Sequence, residues 1–202
     1  MPEALPVKPY DPNDFQTGDI LLCHATNVNG TDPVGAEIQL VTASLFSHMA
    51  MVVRGADNAP YAWQSYHDYG GVGLTPLLKF LQDYQNAEQT PVPTICVRHL
   101  SGDVKKLEGK LQAFIREVYG RPFVGLLEFP LEILKGRFDV PCSEKTFFCS
   151  QLIAATYQAM TLLDTTHPPN WYAPQSFSTA HAQLQLRHGA SLGDQIWIIV
   201  PS

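Results

Sequence analysis

The stretch Phe147-Phe148-Cys149-Ser150-Gln151-Leu152-Ile153-Ala154-Ala155-Thr156-Tyr157 decides how this chain is read. It is apolar on nearly every side, and the pattern predicts a long helix over Phe148–Leu163 with Cys149 at its front edge. The start of a helix carries unpaired N–H groups and roughly half a positive charge. A thiol reacts as its thiolate, and its ordinary pKa of about 8.5 must come down for it to act near neutral pH. A cysteine entering a helix is therefore a candidate nucleophile.

Far upstream, Ser47-His48-Met49-Ala50-Met51-Val52-Val53 is apolar on both faces, as a central buried strand is. His48 opens that run. From a strand end its imidazole could reach over the sheet edge to Cys149, and the Cys149 N–H could help bind an oxyanion. Plainer readings stand beside these. A lone cysteine in an apolar run is usually a small buried hydrophobe, and His48 alone reads equally well as a hydrogen-bonded structural histidine. Cys23, in Leu21-Leu22-Cys23, and Cys96, in Ile95-Cys96-Val97, read as buried hydrophobes. Cys142 follows Pro141 in a polar loop, with nothing nearby to activate it.

Around these two anchors the pattern gives an extended Pro- and Asp-rich arm over residues 1–16 and one domain over 17–202. Thr17-Gly18-Asp19 is turn chemistry, followed by a short buried strand Ile20–Cys23. Asn27–Pro33 reads as a loop whose Asp32 and Pro33 open a helix through Val34, Ile38, Val41 and Leu45. Strands are predicted over Tyr61–Tyr66, Pro93–Leu100 and Ile196–Val200, with Gly70–Gly73 as a break. Helices are predicted over Pro76–Tyr84, Val104–Tyr119 and Val124–Leu134, the last kinked or split by Pro130. Arg137–Thr146 and residues 164–180 read as irregular. The class is α+β.

Composition narrows the function. Of the 202 residues, 45% are apolar and 16% charged, which suits a globular core. The net charge of −6, with no Lys/Arg run, argues against a nucleic-acid partner. The seven histidines are scattered, without zinc-ligand spacing, so no metal and no cofactor is expected. Four cysteines without a C-x-x-C pair read as free thiols in a reducing compartment. The start shows no signal-peptide pattern, and no apolar run approaches the ~20 residues of a transmembrane helix. A cytoplasmic location is the expectation.

Thr17-Gly18-Asp19-Ile20-Leu21-Leu22, then Ser47–Val53, then Phe148-Cys149-Ser150-Gln151-Leu152-Ile153 resemble, in this order, the signatures of the circularly permuted papain-like family. That family is related to NlpC-type cell-wall peptidases and, more distantly, to lecithin–retinol acyltransferase. Tyr172–Ser178 and Gly189–Asp194 resemble its tail. The resemblance implies a permuted papain-like fold, with a small antiparallel sheet packed against the cysteine helix. It implies a thiol hydrolase in which Cys149 attacks a carbonyl and His48 moves the proton. A third polar residue on the next strand should orient His48. The family often has a glutamate there, whereas Tyr61-Ala62-Trp63-Gln64-Ser65 offers Gln64. A glutamine can accept a hydrogen bond from the imidazole but cannot stabilise an imidazolium by charge. Gln64 also reads as an exposed strand residue, and His67 and Asp68 are fallback orienters.

Tyr119-Gly120-Arg121-Pro122-Phe123 resembles a family segment too. Tyr119, Arg121 and Phe123 would line the substrate side, with Arg121 free to meet a carboxylate. Asp19 reads as turn-forming and structural. Three functions remain open at this stage. One is an amide hydrolase (peptide or peptide-like) working through an acyl-thioester. Another is a lipid acyl hydrolase or acyltransferase using the same thiol, for which the apolar 124–134 segment would suit an acyl chain. The third is an inactive binding module of the same fold. The expected partner is a small-molecule, peptide or lipid substrate, and the oligomeric state is left open.

Overall fold

The computed structural model describes residues 6–24, 44–88, 90, 92–125, 128–180 and 184–201, without the side chain of Asp68. The loop at Asn27, the Asp32 cap and the helix foreseen from Val34 lie outside the described residues. The strands among the described residues are β1 Val7–Pro9, β2 Ile20–Cys23, β3 His48–Arg54, β4 Pro60–Tyr66, β5 Gly71–Pro76, β6 Ile95–Arg98, β7 Leu100–Ser101, β8 Ser191–Leu192 and β9 Ile196–Ile199. The α-helices among the described residues are α1 Leu77–Glu88, α2 Glu108–Val118, α3 Phe129–Arg137 and α4 Cys149–Ala159.

Seven strands form one mixed sheet in the order β1-β9-β6-β2-β3-β4-β5, and β7 and β8 form a small second one. Among the described strands of this sheet, β1 and β9 run parallel and the other neighbours are antiparallel. The class is mixed α and β, as the pattern predicts, but the sheet is larger than the small antiparallel one expected, and it is mixed. Part of the gain is the N-terminal arm. Val7–Pro9 pairs with β9, and Phe15 is fully buried beneath it.

Strand alternation divides the sheet into two faces. Leu21, Cys23, Ala50, Val52, Ala62, Ile95 and Val97 pack with Leu77, Phe80 and Leu81 of α1. Ile20, Leu22, Met49, Met51, Val53, Trp63 and Cys96 pack with α2 and α4. Burying each large apolar side chain contributes about 1.5–3 kcal/mol, so β2 and β3, apolar toward both faces, can only be central. Every residue of α4 from Cys149 to Tyr157 is buried, which accounts for a helix apolar all round. It lies against β3, β4, α2 and the turn Pro169–Trp171.

Three expectations are corrected. Gly70–Gly73 does not break the pattern: Gly71–Pro76 is an edge strand paired with β4. A Cβ on Gly71 would stand 2.2 Å from the Arg121 carbonyl oxygen, so the glycine serves the close approach of the 120–123 segment. Pro130 neither kinks nor splits a helix; it sits in the first turn of α3, where its missing N–H is no loss. The cysteine helix stops short of Leu163 at Ala159. Leu162 N–H reaches Tyr157 O and Thr161 N–H reaches Gln158 O, a Schellman closure with Thr161 left-handed at φ 62°. A β-branched residue there is unusual, so the sequence carries none of the ordinary stop signals.

Candidate active site

β3 and β4 are registered from Met51 opposite Trp63 to Arg54 opposite Pro60. Val52 N–H bonds Asp19 O on the β2 side. By alternation the N–H groups of Met49 and Met51 therefore face β4. Beyond Met51 the pairing with β4 lapses, and the N-terminus of α4 occupies this end of the sheet. Ser65 Oγ donates to Phe147 O at 2.7 Å. The backbone N–H groups of Met49, Ser150 and Cys149 itself favour the thiolate at Cys149.

Cys149 is the first helical residue, following an extended Phe148. The Phe148 N–H donates to Gln151 Oε1 at 3.3 Å, half of a capping box. The Gln151 amide nitrogen in turn contacts Cys142 Sγ at 3.0 Å. Cys149 is 1% exposed. Burial pushes its thiol up to about 11, and the three N–H groups pull the other way without reversing it.

His48 is 3% exposed. Its imidazole lies on the α1 face, with ring centroids 4.9 Å from Tyr66, 6.1 Å from Phe80 and 6.4 Å from a nearly parallel Tyr84. Tyr84 is held by a 2.6 Å hydrogen bond between its hydroxyl and Ser47 Oγ. His48 Nε2 donates to Gln64 Oε1 at 2.8 Å, and Gln64 Nε2 donates to Thr75 Oγ1 at 3.2 Å. A carbonyl oxygen only accepts, so Nε2 carries the proton and Nδ1 is the basic nitrogen. Burial brings the imidazole pKa down to about 4; the Gln64 hydrogen bond opposes this and the charge of His67 adds to it.

Gln64 is thus a buried partner of His48, 1% exposed, and not an exposed strand residue. Thr75 was not foreseen; only its register opposite Ala62 on β5, which no motif encodes, places it beside Gln64. His67 instead packs its ring against Tyr66 and Phe123. His48 opens β3 and Cys149 opens the helix packed against β3. Among the described residues no hydrogen bond joins thiol to imidazole.

The other candidates divide. Phe123 bridges to Phe147, directly before the nucleophile helix. Arg121 lies 5.8 Å over the Phe147 ring and already meets a carbonyl, Glu144 O, and a carboxylate, Glu117, at 3.6 Å. Tyr119, 58% exposed, stacks on Trp63 instead. Asp19 is wholly buried and structural. It accepts from Gln16 N–H, Leu100 N–H and His99 Nδ1 at 2.8–2.9 Å. Cys23 and Cys96 are buried, and burial raises both thiols. Among the described residues no group of three or more His, Cys, Asp or Glu side chains is placed to hold a metal ion, and no helix is long and apolar enough to cross a membrane.

The chain matches no known protein-family model, and a search of curated proteins found none similar to it.

Proposed function

We propose that this protein is a cysteine-dependent hydrolase of amide bonds, built on a permuted papain-like arrangement. The observation that carries the reading is the His48–Gln64 hydrogen bond, on two strands packed against the helix that Cys149 opens. Cys149 Sγ attacks the substrate carbonyl, and the thiol proton passes to His48 Nδ1 when the imidazole swings around the end of β3 to the sulfur. His48 then gives that proton to the leaving amine, and the acyl group stays on sulfur as a thioester. Water, deprotonated by His48, attacks the thioester and frees the thiol. A thiol near 11 and an imidazole near 4 rest as a neutral pair at pH 7. Gln64 suits such a pair, since it holds the imidazole without charging it.

The test is turnover of a panel of peptide and peptide-like amides by the parent and by Cys149→Ala. The expected loss in the variant is at least about a thousandfold in kcat. Equal rates would sink the reading, and two inactive proteins that bind a ligand equally well would favour a binding module.

A second reading has one observation of its own. Phe129 and Ile133 of α3 pack on Phe148, next to Cys149. The outer side of the same helix and the residues after it expose Leu131, Leu134, Phe138 and Val140. An apolar surface so close to the nucleophile suits a lipid acyl donor, giving a lipid acyl hydrolase or acyltransferase with the same thiol. Intact-mass measurement after incubation with labelled lipids separates the two, because a stable acyl adduct on Cys149 forms only under this reading.

A further inference from the structure

We infer that Ser65 is a positioning residue for Cys149, doing for the thiol what Gln64 does for the imidazole; this rests on the cysteine-hydrolase reading above. Gln64 and Ser65 are consecutive on β4, so their side chains leave the strand on opposite faces. Gln64 turns to the α1 face and takes His48. Ser65 turns to the α4 face and donates to the Phe147 carbonyl, two residues before the nucleophile. The Ser65 side chain is wholly buried, so no water competes for that hydroxyl.

Phe147 is also bridged to Phe123, with Phe147 N–H donating to Pro122 O at 3.2 Å, but no hydrogen bond between β3 and β4 helps to seat α4. The β3–β4 register does not extend past Met51 and Trp63, which leaves the end of β4 tied to α4 by side chains. Trp63 Nε1 donates to Thr156 Oγ1 at 3.0 Å, further along α4. Ser65 therefore holds the helix at its start and Trp63 holds it past its middle. The start is the part that matters for the thiol, because Cys149 is the first helical residue and the backbone N–H groups that favour its thiolate include that of Met49 on β3. The Phe147 carbonyl also accepts Val124 N–H at 3.3 Å, so losing the serine hydroxyl leaves it paired. Ser65→Ala thus removes one donor from the seat of α4 without leaving a buried acceptor unpaired.

The test is the alkylation rate of Cys149 by iodoacetamide, followed peptide by peptide from neutral to alkaline pH. A mispositioned sulfur loses N–H donors, so its thiolate becomes scarcer. Ser65→Ala is expected to slow labelling about 3- to 10-fold at fixed pH and to move the midpoint up. Ser65→Thr keeps the hydroxyl and is expected to keep the parent's rate and midpoint. A parent-like profile in Ser65→Ala overturns the inference. Faster labelling overturns it too, because it signals an opened core and not a displaced thiol. Cys23 and Cys96 stay unlabelled while the fold is intact; if they label, Ser65→Cys, a weaker donor of similar size, gives the same comparison. Turnover plays no part in this measurement, so a parent that hydrolyses nothing would sink the hydrolase reading and leave the Ser65 result to stand or fall alone.

Discussion

The two faces of the sheet hold the two halves of the candidate site by different means. On the α1 face His48 is held by side chains: Gln64 and Thr75 in series, with Tyr66, Phe80 and Tyr84 around the ring. On the α4 face Cys149 is placed by the start of α4, and the backbone N–H groups of Met49, Ser150 and its own residue favour its thiolate. Backbone support survives substitution and side-chain support does not. The histidine half is therefore the tunable one, and variants there should alter chemistry while leaving the thiol seated. The cysteine should be displaced only when α4 itself moves, while its reactivity still follows the charge on the imidazole.

The largest way to separate the halves is pH. His48 has a folded pKa of about 4 against an ordinary 6.5, so the unfolded chain binds a proton that the folded one refuses between those values. Its contribution to stability is complete above pH 6.5 and drains away as pH falls toward 4. A gap of that size corresponds to about 3 kcal/mol. Urea titrations across this window should show the parent losing about that much more stability than His48→Asn. The cysteine half adds nothing there, because Cys149 titrates near 11. Equal acid slopes for parent and variant would mean that the imidazole is not the buried neutral base described.

Next in size is Gln64. Gln64→Ala removes the acceptor from a buried imidazole N–H and frees the ring to turn. A fall of about 10- to 100-fold in kcat is expected, with KM little changed. Gln64→Glu places a carboxylate on Nε2, raising the imidazole pKa and favouring the imidazolium–thiolate pair. Cys149 alkylation in the parent should climb steadily with pH through neutrality. In Gln64→Glu it should gain rate near pH 7 and flatten. An unchanged profile would show that the thiol does not sense the imidazole.

These variants turn on residues that differ in how plainly the sequence displays them. The pairing of His48 with Gln64 is legible from the order of the motifs, and β2 and β3 are legible because they are apolar toward both faces. Asp19 was rightly read as structural from its turn. What stayed hidden depends on contacts between distant segments. Gly71 reads as a breaker until Arg121 is seen against it. Val7–Pro9 reads as a loose arm until β9 pairs with it. The end of α4 falls at a threonine in a glycine's conformation. Thr75 and Ser65 are ordinary strand residues in the sequence, and cross-strand register alone gives them work.

Thr75 gives the smallest effect and the finest comparison. Its hydroxyl holds the far end of the Gln64 amide on an edge strand, 7% exposed. Thr75→Val keeps the shape, leaves one buried Gln64 N–H unpaired and should cost about 1–3 kcal/mol of stability. The amide, anchored at one end only, would then hold the imidazole less firmly, and kcat should drop about 3- to 10-fold with KM unchanged. Thr75→Ser loses a methyl group but keeps the oxygen, so it should restore kcat even if part of the stability stays lost. The Nε2 proton of His48 gives a readout apart from turnover. Its NMR signal should exchange slowly in the parent and in Thr75→Ser, and faster in Thr75→Val. The rate and labelling profile of Cys149 should stay put in all three, because its N–H donors lie on the other face. If Thr75→Val slows Cys149 labelling as much as Ser65→Ala does, the two faces are not independent supports, and β4 acts as one rigid body gripping both halves.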